Sequence, residues 1–348
     1  MRLSRRVIVA GLAAVTVTSA MSVGSASAFN HPLGAANGPA NGDRFTFAVI
    51  GDIPYGDAQI ASFPSVIKQI NADPAVQLVD HLGDIKSGST LCADRYFAQI
   101  RAQFDTFVDP LVYTVGDNEW TDCHRVNNGG YNPLERLARI RSVFFSRPGH
   151  TLGQHAVPVI SQAPQGYPED VRYTRAGVAF AALHIVGSNN SLAPWTGDTG
   201  PTPEQSVEVL GRTAAVIENI RTTFRQARDE HDRSVVLLTQ ADMFDPTVPN
   251  PTFAENFAFQ PIVLAIAQES ASFRGPVYLF NGDSHVFNSD QPLAEGSKWL
   301  SFYGVDKPVP SLSRVTIDGS TDVNNYLRVT VDPRNRDVLS WTRVPFAP

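Results

Sequence analysis

Four times in this chain an apolar run ends in Gly followed by Asp: Gly51-Asp52, Gly83-Asp84, Gly116-Asp117 and Gly282-Asp283, with His285 two residues beyond the last. Gly and Asp are ordinary turn residues, and a single pair needs no other explanation. A set of them at the ends of strand-like runs asks for more, because open α/β sheets gather their ligand sites at the carboxyl ends of the strands. Carboxylates brought to one edge repel one another unless protonated or bridged by a cation. The pattern therefore points to a metal-binding edge.

Positioning those acids requires strands that alternate with helices. Strand-like Phe45 to Ile50 is followed by helix-like Ala58 to Ile70, Val76 to Leu82 by Asp94 to Phe107, and Leu111 to Val115 by Leu134 to Phe145. A hairpin follows, Val171 to Thr174 and Val178 to Val186 turning at Ala176-Gly177. Thr202-Pro203-Glu204 then opens a long helix to about Glu230, as cap and first turn. Strands at Val235 to Leu238 and Val277 to Phe280 flank a helix from Phe257 to Gln268. The last third, Arg314 to Ile317, Asn325 to Val331 and Val338 to Arg343, alternates like antiparallel strands. This order predicts an α/β fold with right-handed crossovers. No internal repeat or break divides it, so residues 43–348 are expected to form a single domain.

The succession Gly-Asp, Gly-Asp, Gly116-Asp117-Asn118-Glu119 and Gly282-Asp283-Ser284-His285 resembles the motif order of calcineurin-like metallophosphoesterases, from Phe45 to about Phe287. The resemblance implies a four-layer α/β/β/α sandwich of two mixed β-sheets. It also implies two divalent metal ions and a metal-bridged hydroxide that attacks a phosphate mono- or diester; two such ions neutralise the phosphoryl charge together. Carried over position by position, Asp52 binds the first metal, Asp84 bridges both and His285 completes the first site. Asp117 falls where the family has a metal-binding Asn, and Asn118 where it has the His that stabilises the phosphate. Asp283 replaces the first His of the late block, and Gln240 or Asp242 stands where a His usually follows a strand. Pro54 occupies another position that is often His. A site so rich in carboxylates and amides is hard, favouring Mg²⁺, Mn²⁺ or Ca²⁺ over Zn²⁺.

Lys86, two residues past Asp84, either carries positive charge toward a phosphate or is a solvated loop lysine. His150 and His155 lie in the Gly- and Pro-rich stretch from Ser146 to Glu169, as solvated residues or as part of a lid. His81 reads as a hydrogen-bonded core histidine, and His124 as a neighbour of the ligands. Tyr55 and Trp120 either stack on an organic leaving group or pack around the site.

Cys92 and Cys123 leave the same sheet edge on adjacent loops, and in an exported chain they are expected to pair; two free buried thiols are the alternative. Export is read from Arg2, Arg5 and Arg6 ahead of an apolar stretch from Val7 to about Val17 and an A-x-A cleavage site at Ala26-Ser27-Ala28, a signal peptide over residues 1–28 of Sec or twin-arginine type. A disordered linker, 29–42, follows. With 348 residues and a net charge of −6, the chain has no basic stripe for nucleic acid, and no later segment suits a bilayer. The expected partner is a small phosphate ester, with the oligomeric state open. Two other readings remain: a non-catalytic exported protein that keeps the fold for binding, and a GDSL-type serine esterase using Ser284, although its serine block comes last in the chain rather than first.

Overall fold

The computed structural model describes residues 43–347, so the expected signal peptide and linker lie outside the described residues. One mixed sheet joins β1 (Phe45–Ile50), β2 (Val79–His81), β3 (Leu111–Tyr113), β11 (Asn325–Val331) and β12 (Leu339–Pro345) in the order β12-β11-β1-β2-β3. A second joins β4 (Ile160–Gln162), β5 (Tyr167–Arg175), β6 (Val178–Ala182), β7 (Ser234–Leu238), β8 (Val277–Asn281), β9 (Asn288–Asp290) and β10 (Leu312–Thr316) in the order β4-β5-β6-β7-β8-β10-β9. β1, β2 and β3 run parallel, as do β6, β7, β8 and β10. The remaining pairings are antiparallel.

Alternation along β1 explains the layering, because successive side chains of a strand face opposite sides. Phe45, Phe47 and Val49 join Phe180, Leu238 and Phe280 of the other sheet in a core between the two. Ala48 and Ile50 point the other way, into a core with Phe63, Phe97, Phe104 and Ile140. Those residues come from α1 (Gly56–Asn71), α2 (Asp94–Phe104) and α3 (Pro133–Phe144). The outer face of the second sheet packs on α4 (Pro203–Asp229), α5 (Gln260–Ser272) and α6 (Lys298–Tyr303) through Val216, Phe224, Ile262, Ile266 and Tyr303. The chain is thus α/β, with two mixed sheets face to face and helices on both outer faces.

Local chemistry starts the helices where expected. Thr202 accepts from the Gln205 N–H while the Gln205 side chain accepts from the Thr202 N–H, a reciprocal capping box. Asn132 accepts from Leu134 and Glu135 ahead of α3. Among the described residues no helix is long and apolar enough to cross a membrane.

Two expectations change. The stretch from Ser146 to Glu169 is no lid: Leu152 bridges Leu111 at the start of β3, the Gln154 N–H donates to Phe107 O, and β4 lies within it. His150, paired with Arg147, and His155 therefore sit at the opposite end of the parallel strands from the Gly-Asp turns. The last third is also not wholly antiparallel, since β10 lies parallel to β8. The polar Asn-Ser-Asp of β9 carries no strand period, yet it pairs with β10.

Phe180 is fully buried and packs edge-on against Phe45 and Phe47 and face-on against Tyr173. Phe180→Ala is expected to lower the unfolding free energy by about 3–5 kcal/mol, read as a shift of the urea midpoint with unchanged slope.

Candidate metal centre

The parallel strands deliver their acids to one edge, and the glycines make room for the neighbouring carboxylates. A Cβ on Gly116 would stand 2.1 Å from Asp84 Oδ1, and one on Gly282 would stand 2.3 Å from Asp52 Oδ2. The acids themselves sit in left-handed backbone: φ is 51° at Asp52, 54° at Asp84 and 71° at Asp283, with His285 at 63°. Such conformations are costly for residues with a Cβ and cluster where the surrounding structure imposes them.

Asp52, Asp84 and His285 offer ligand atoms that all lie within 4.8 Å of one another. His285 Nε2 is 3.2 Å from Asp52 Oδ1, and its side chain is 36% exposed while Asp52 and Asp84 are buried. Two carboxylates and an imidazole from three strand ends form a donor set that fits one divalent cation. Tyr55 belongs to this centre. Its hydroxyl donates to Asp84 Oδ2 at 2.9 Å, accepts from Asn118 Nδ2 at 2.8 Å, and lies 3.4 Å from Asp52 Oδ1 and 3.5 Å from His285 Nε2.

Around this trio stand Asp117, Asp283, Asn118 and Gln240. The Asn118 amide donates to Asp84 Oδ2 at 2.6 Å and its backbone N–H to Asp84 Oδ1 at 3.1 Å. Gln240 does not present its oxygen as a ligand: Oε1 accepts from the Gly187 N–H at 2.8 Å, which turns the amino group onto Asp84 Oδ2 and Asp117 Oδ1. Asp242, the other residue at that strand end, is bound by Arg314 at 2.7 Å.

Asp117 is held by a turn that no sequence pattern announced. Ser188, Asn189, Asn190 and Ser191 run consecutively at φ 53°, 53°, 52° and 73°, a short left-handed turn after β6. Ser188 Oγ donates to Asp117 Oδ2 at 2.9 Å, while buried Arg212 grips Asn190 through its side-chain and main-chain oxygens. Ser and Asn tolerate this region through local hydrogen bonds, which is the only signal the sequence carried.

Several expected roles are corrected, while the core role of His81 and the Cys92–Cys123 bridge hold. The buried Lys86 ammonium donates to Ser87 O, Asn118 O and Asn128 Oδ1, so its three N–H groups are spent on the loops and none faces a substrate. Ser284 Oγ donates to Asp242 Oδ2, the carboxylate that Arg314 holds, and among the described residues no imidazole lies among its hydrogen-bond partners, unlike the serine of a Ser-His catalytic pair. Trp120 is fully buried against His184 beneath Arg212, away from any leaving group. The His124 ring turns to Thr196. His81 is a core residue with Nε2 on Ile53 O, and burial lowers its pKa to about 4. Cys92 and Cys123 are joined, tying the loop after Asp84 to the loop after Asp117 across 31 residues, a closure that stabilises by about 4 kcal/mol.

Burial and like charge set the electrostatics. Asp84 is pushed well above the usual carboxylate range by burial, then by Asp117, Glu119, Asp52 and Asp283. Asp283 is raised by burial, then by Asp117 and Asp52. Asp122, buried beside Asp117, is pushed up to about 8 despite Arg125 and Lys86. Burial lowers Lys86 to about 8 against the pull of Glu119 and Asp122. At His285 burial works downward, but the hydrogen bond to Asp52 and its charge carry the net shift upward.

The chain matches no protein-family model and no curated protein. Among solved structures it is similar to GAP50, the anchor in the inner membrane complex of Plasmodium, with a TM-score of 0.44 at 8% identity over 88% of this chain and 90% of that one. It is also similar to the sulfate thiohydrolase SoxB of Thermus thermophilus in complex with glycerol, with a TM-score of 0.38 at 16% identity over 82% of this chain. The chain spans only 42% of that protein. At these values the likeness bears on neither chemistry nor partners, and the site rests on its own geometry.

The carboxyl shifts predict a pH dependence. Asp122 titrates at about 8 when folded against 3.8 as an ordinary carboxyl, so between these values the folded state holds a proton that the unfolded chain has released. Asp122, Asp84 and Asp283 therefore lower the stability of the metal-stripped protein as pH rises through that window, and they outweigh buried His81 and His184, whose lowered pKa values act the other way up to 6.5. A cation takes the place of the Asp84 proton, so Mn²⁺ is expected to raise the melting temperature more at about pH 8 than at about pH 5. Thermal melts with EDTA or Mn²⁺ at both pH values check this; a stripped protein that gains stability with pH would contradict it.

Proposed function

We propose that the chain is an extracytoplasmic, metal-dependent phosphoesterase of the calcineurin-like type, hydrolysing a small phosphate mono- or diester. The observation that carries this reading is the convergence of Asp52, Asp84 and His285, from the ends of β1, β2 and β8, on one point at the sheet edge. A hard divalent cation such as Mg²⁺, Mn²⁺ or Ca²⁺ supplies Lewis-acid charge neutralisation and acidifies water in such a site. The chain's own groups do the rest. Tyr55 and Asn118 hold the outer oxygen of Asp84 in one orientation, and half-exposed His285 marks the side from which an ester approaches. The disulfide supports an oxidising compartment and thus the exported reading of residues 1–28, with the linker at 29–42 and a single domain over 43–348.

A second reading, a non-catalytic protein that keeps the centre for binding, is favoured by Asn118. Its amide is committed to Asp84 and Tyr55, which leaves no proton donor at the position where the resemblance has a His.

The test is hydrolysis of an aryl phosphate monoester and diester by the mature protein, metal-stripped and then reloaded, beside Asp84→Ala. The phosphoesterase reading expects turnover that returns with metal and falls to background in the variant. Metal binding without turnover of either ester supports the binding role, and absence of metal binding contradicts both.

A further inference from the structure

We propose that the centre holds one cation, and that hydrogen-bond donors of this chain occupy the place of the second. This rests on the metal-dependent reading above and departs from the two ions that the motif resemblance implies. A second ion beside Asp84 needs free lone pairs on Asp84 Oδ2 and ligands from among Asp117, Asp283, Asn118 and Gln240. Asp84 Oδ2 already accepts the Tyr55 hydroxyl at 2.9 Å, the Asn118 amide at 2.6 Å and the Gln240 amide at 3.3 Å. A carboxylate oxygen has about two lone pairs, so these donors leave Oδ2 none for a second ion, whereas Asp84 Oδ1, with the Asn118 N–H on it, keeps one for the ion of the trio.

The surrounding carboxylates are also engaged by donors of this chain, though less fully. Asp117 accepts from Gln240 on Oδ1 at 3.2 Å and from Ser188 on Oδ2 at 2.9 Å. Asp283 Oδ2 accepts from the Asp242 N–H at 3.2 Å. Turning the Gln240 oxygen inward would strip the Gly187 N–H of its acceptor, and a buried N–H without one is unfavourable. Asp242 is not available as a replacement, because Arg314, Ser284 and Thr316 bind both of its oxygens.

The trio is different. Asp52 accepts from the Asp283 N–H at 3.1 Å, while the rotatable Tyr55 hydroxyl stands 3.4 Å and His285 Nε2 3.2 Å from its Oδ1. The side chains thus leave one place where an ion displaces mobile donors. At the other place it would have to displace the Asn118 amide and a Gln240 amide that is fixed from both ends.

The experiment is native mass spectrometry of the mature chain loaded with Mn²⁺, with electron paramagnetic resonance on the same sample. One Mn²⁺ per chain with an isolated-ion spectrum is the expected result, and Asp52→Asn should lose that ion. Two ions with a spin-coupled spectrum would overturn the single-ion proposal while leaving the metal-dependent reading intact. No bound ion would overturn both. A double variant, Asn118→His with Gln240→His, puts imidazoles in place of the amides and is expected to gain a second, coupled ion; a variant that still binds one ion would show that the amides are not what excludes it.

Discussion

Asp84 is cut off from water with Asp52, Asp117, Asp283 and Glu119 acting on it, and like charges in so dry a place must be neutralised or separated. Much of the architecture at this sheet edge serves that requirement. Amides from Asn118 and Gln240 and the Tyr55 hydroxyl face inward, while Arg314 takes Asp242 and Arg125 takes Asp122 out of the contest. On the Asp52 side the neighbouring side chain is instead His285, 3.2 Å away. A cation placed there removes the last of the repulsion, so ligand binding and tolerance of the buried charge become one event.

The same edge stores backbone strain. Asp52, Asp84, Asp283 and His285 share the left-handed region with the run from Ser188 to Ser191, and such residues cost on the order of 1 kcal/mol each or more. They persist because the cores between and outside the sheets over-determine the strand ends, and because Lys86, Arg212 and the disulfide fix the loops that leave them. Lys86 is instructive here: a charge that looked available for catalysis is used to hold the Asn118 and Asn128 loops together.

The helices, most strands and the Gly-Asp edge were legible because each rests on a local signal: apolar period, a cap such as Thr202, or a turn residue at a strand end. The pairing of Cys92 with Cys123 was legible for a related reason, since both residues follow a Gly-Asp turn closely. What stayed hidden depends on distant partners. The facing of Gln240 is decided by Gly187, the fate of Lys86 by Asn128, and that of Asp242 by Arg314. Tyr55 read as a ring that stacks on a leaving group or packs around the site, because sequence shows its type but not that its hydroxyl reaches Asp84. β9 lacked any apolar period, and the stretch from Ser146 to Glu169 gave no hint that it would dock on the start of β3.

The central claim is that one cation, seated between Asp52, Asp84 and His285, resolves the charge of this edge. Anomalous diffraction from crystals of the mature protein soaked in Mn²⁺ tests it most directly. The account predicts a single strong peak within coordination distance of all three side chains. A peak centred instead on Asp117 and Asp283, or none at this edge, would contradict it.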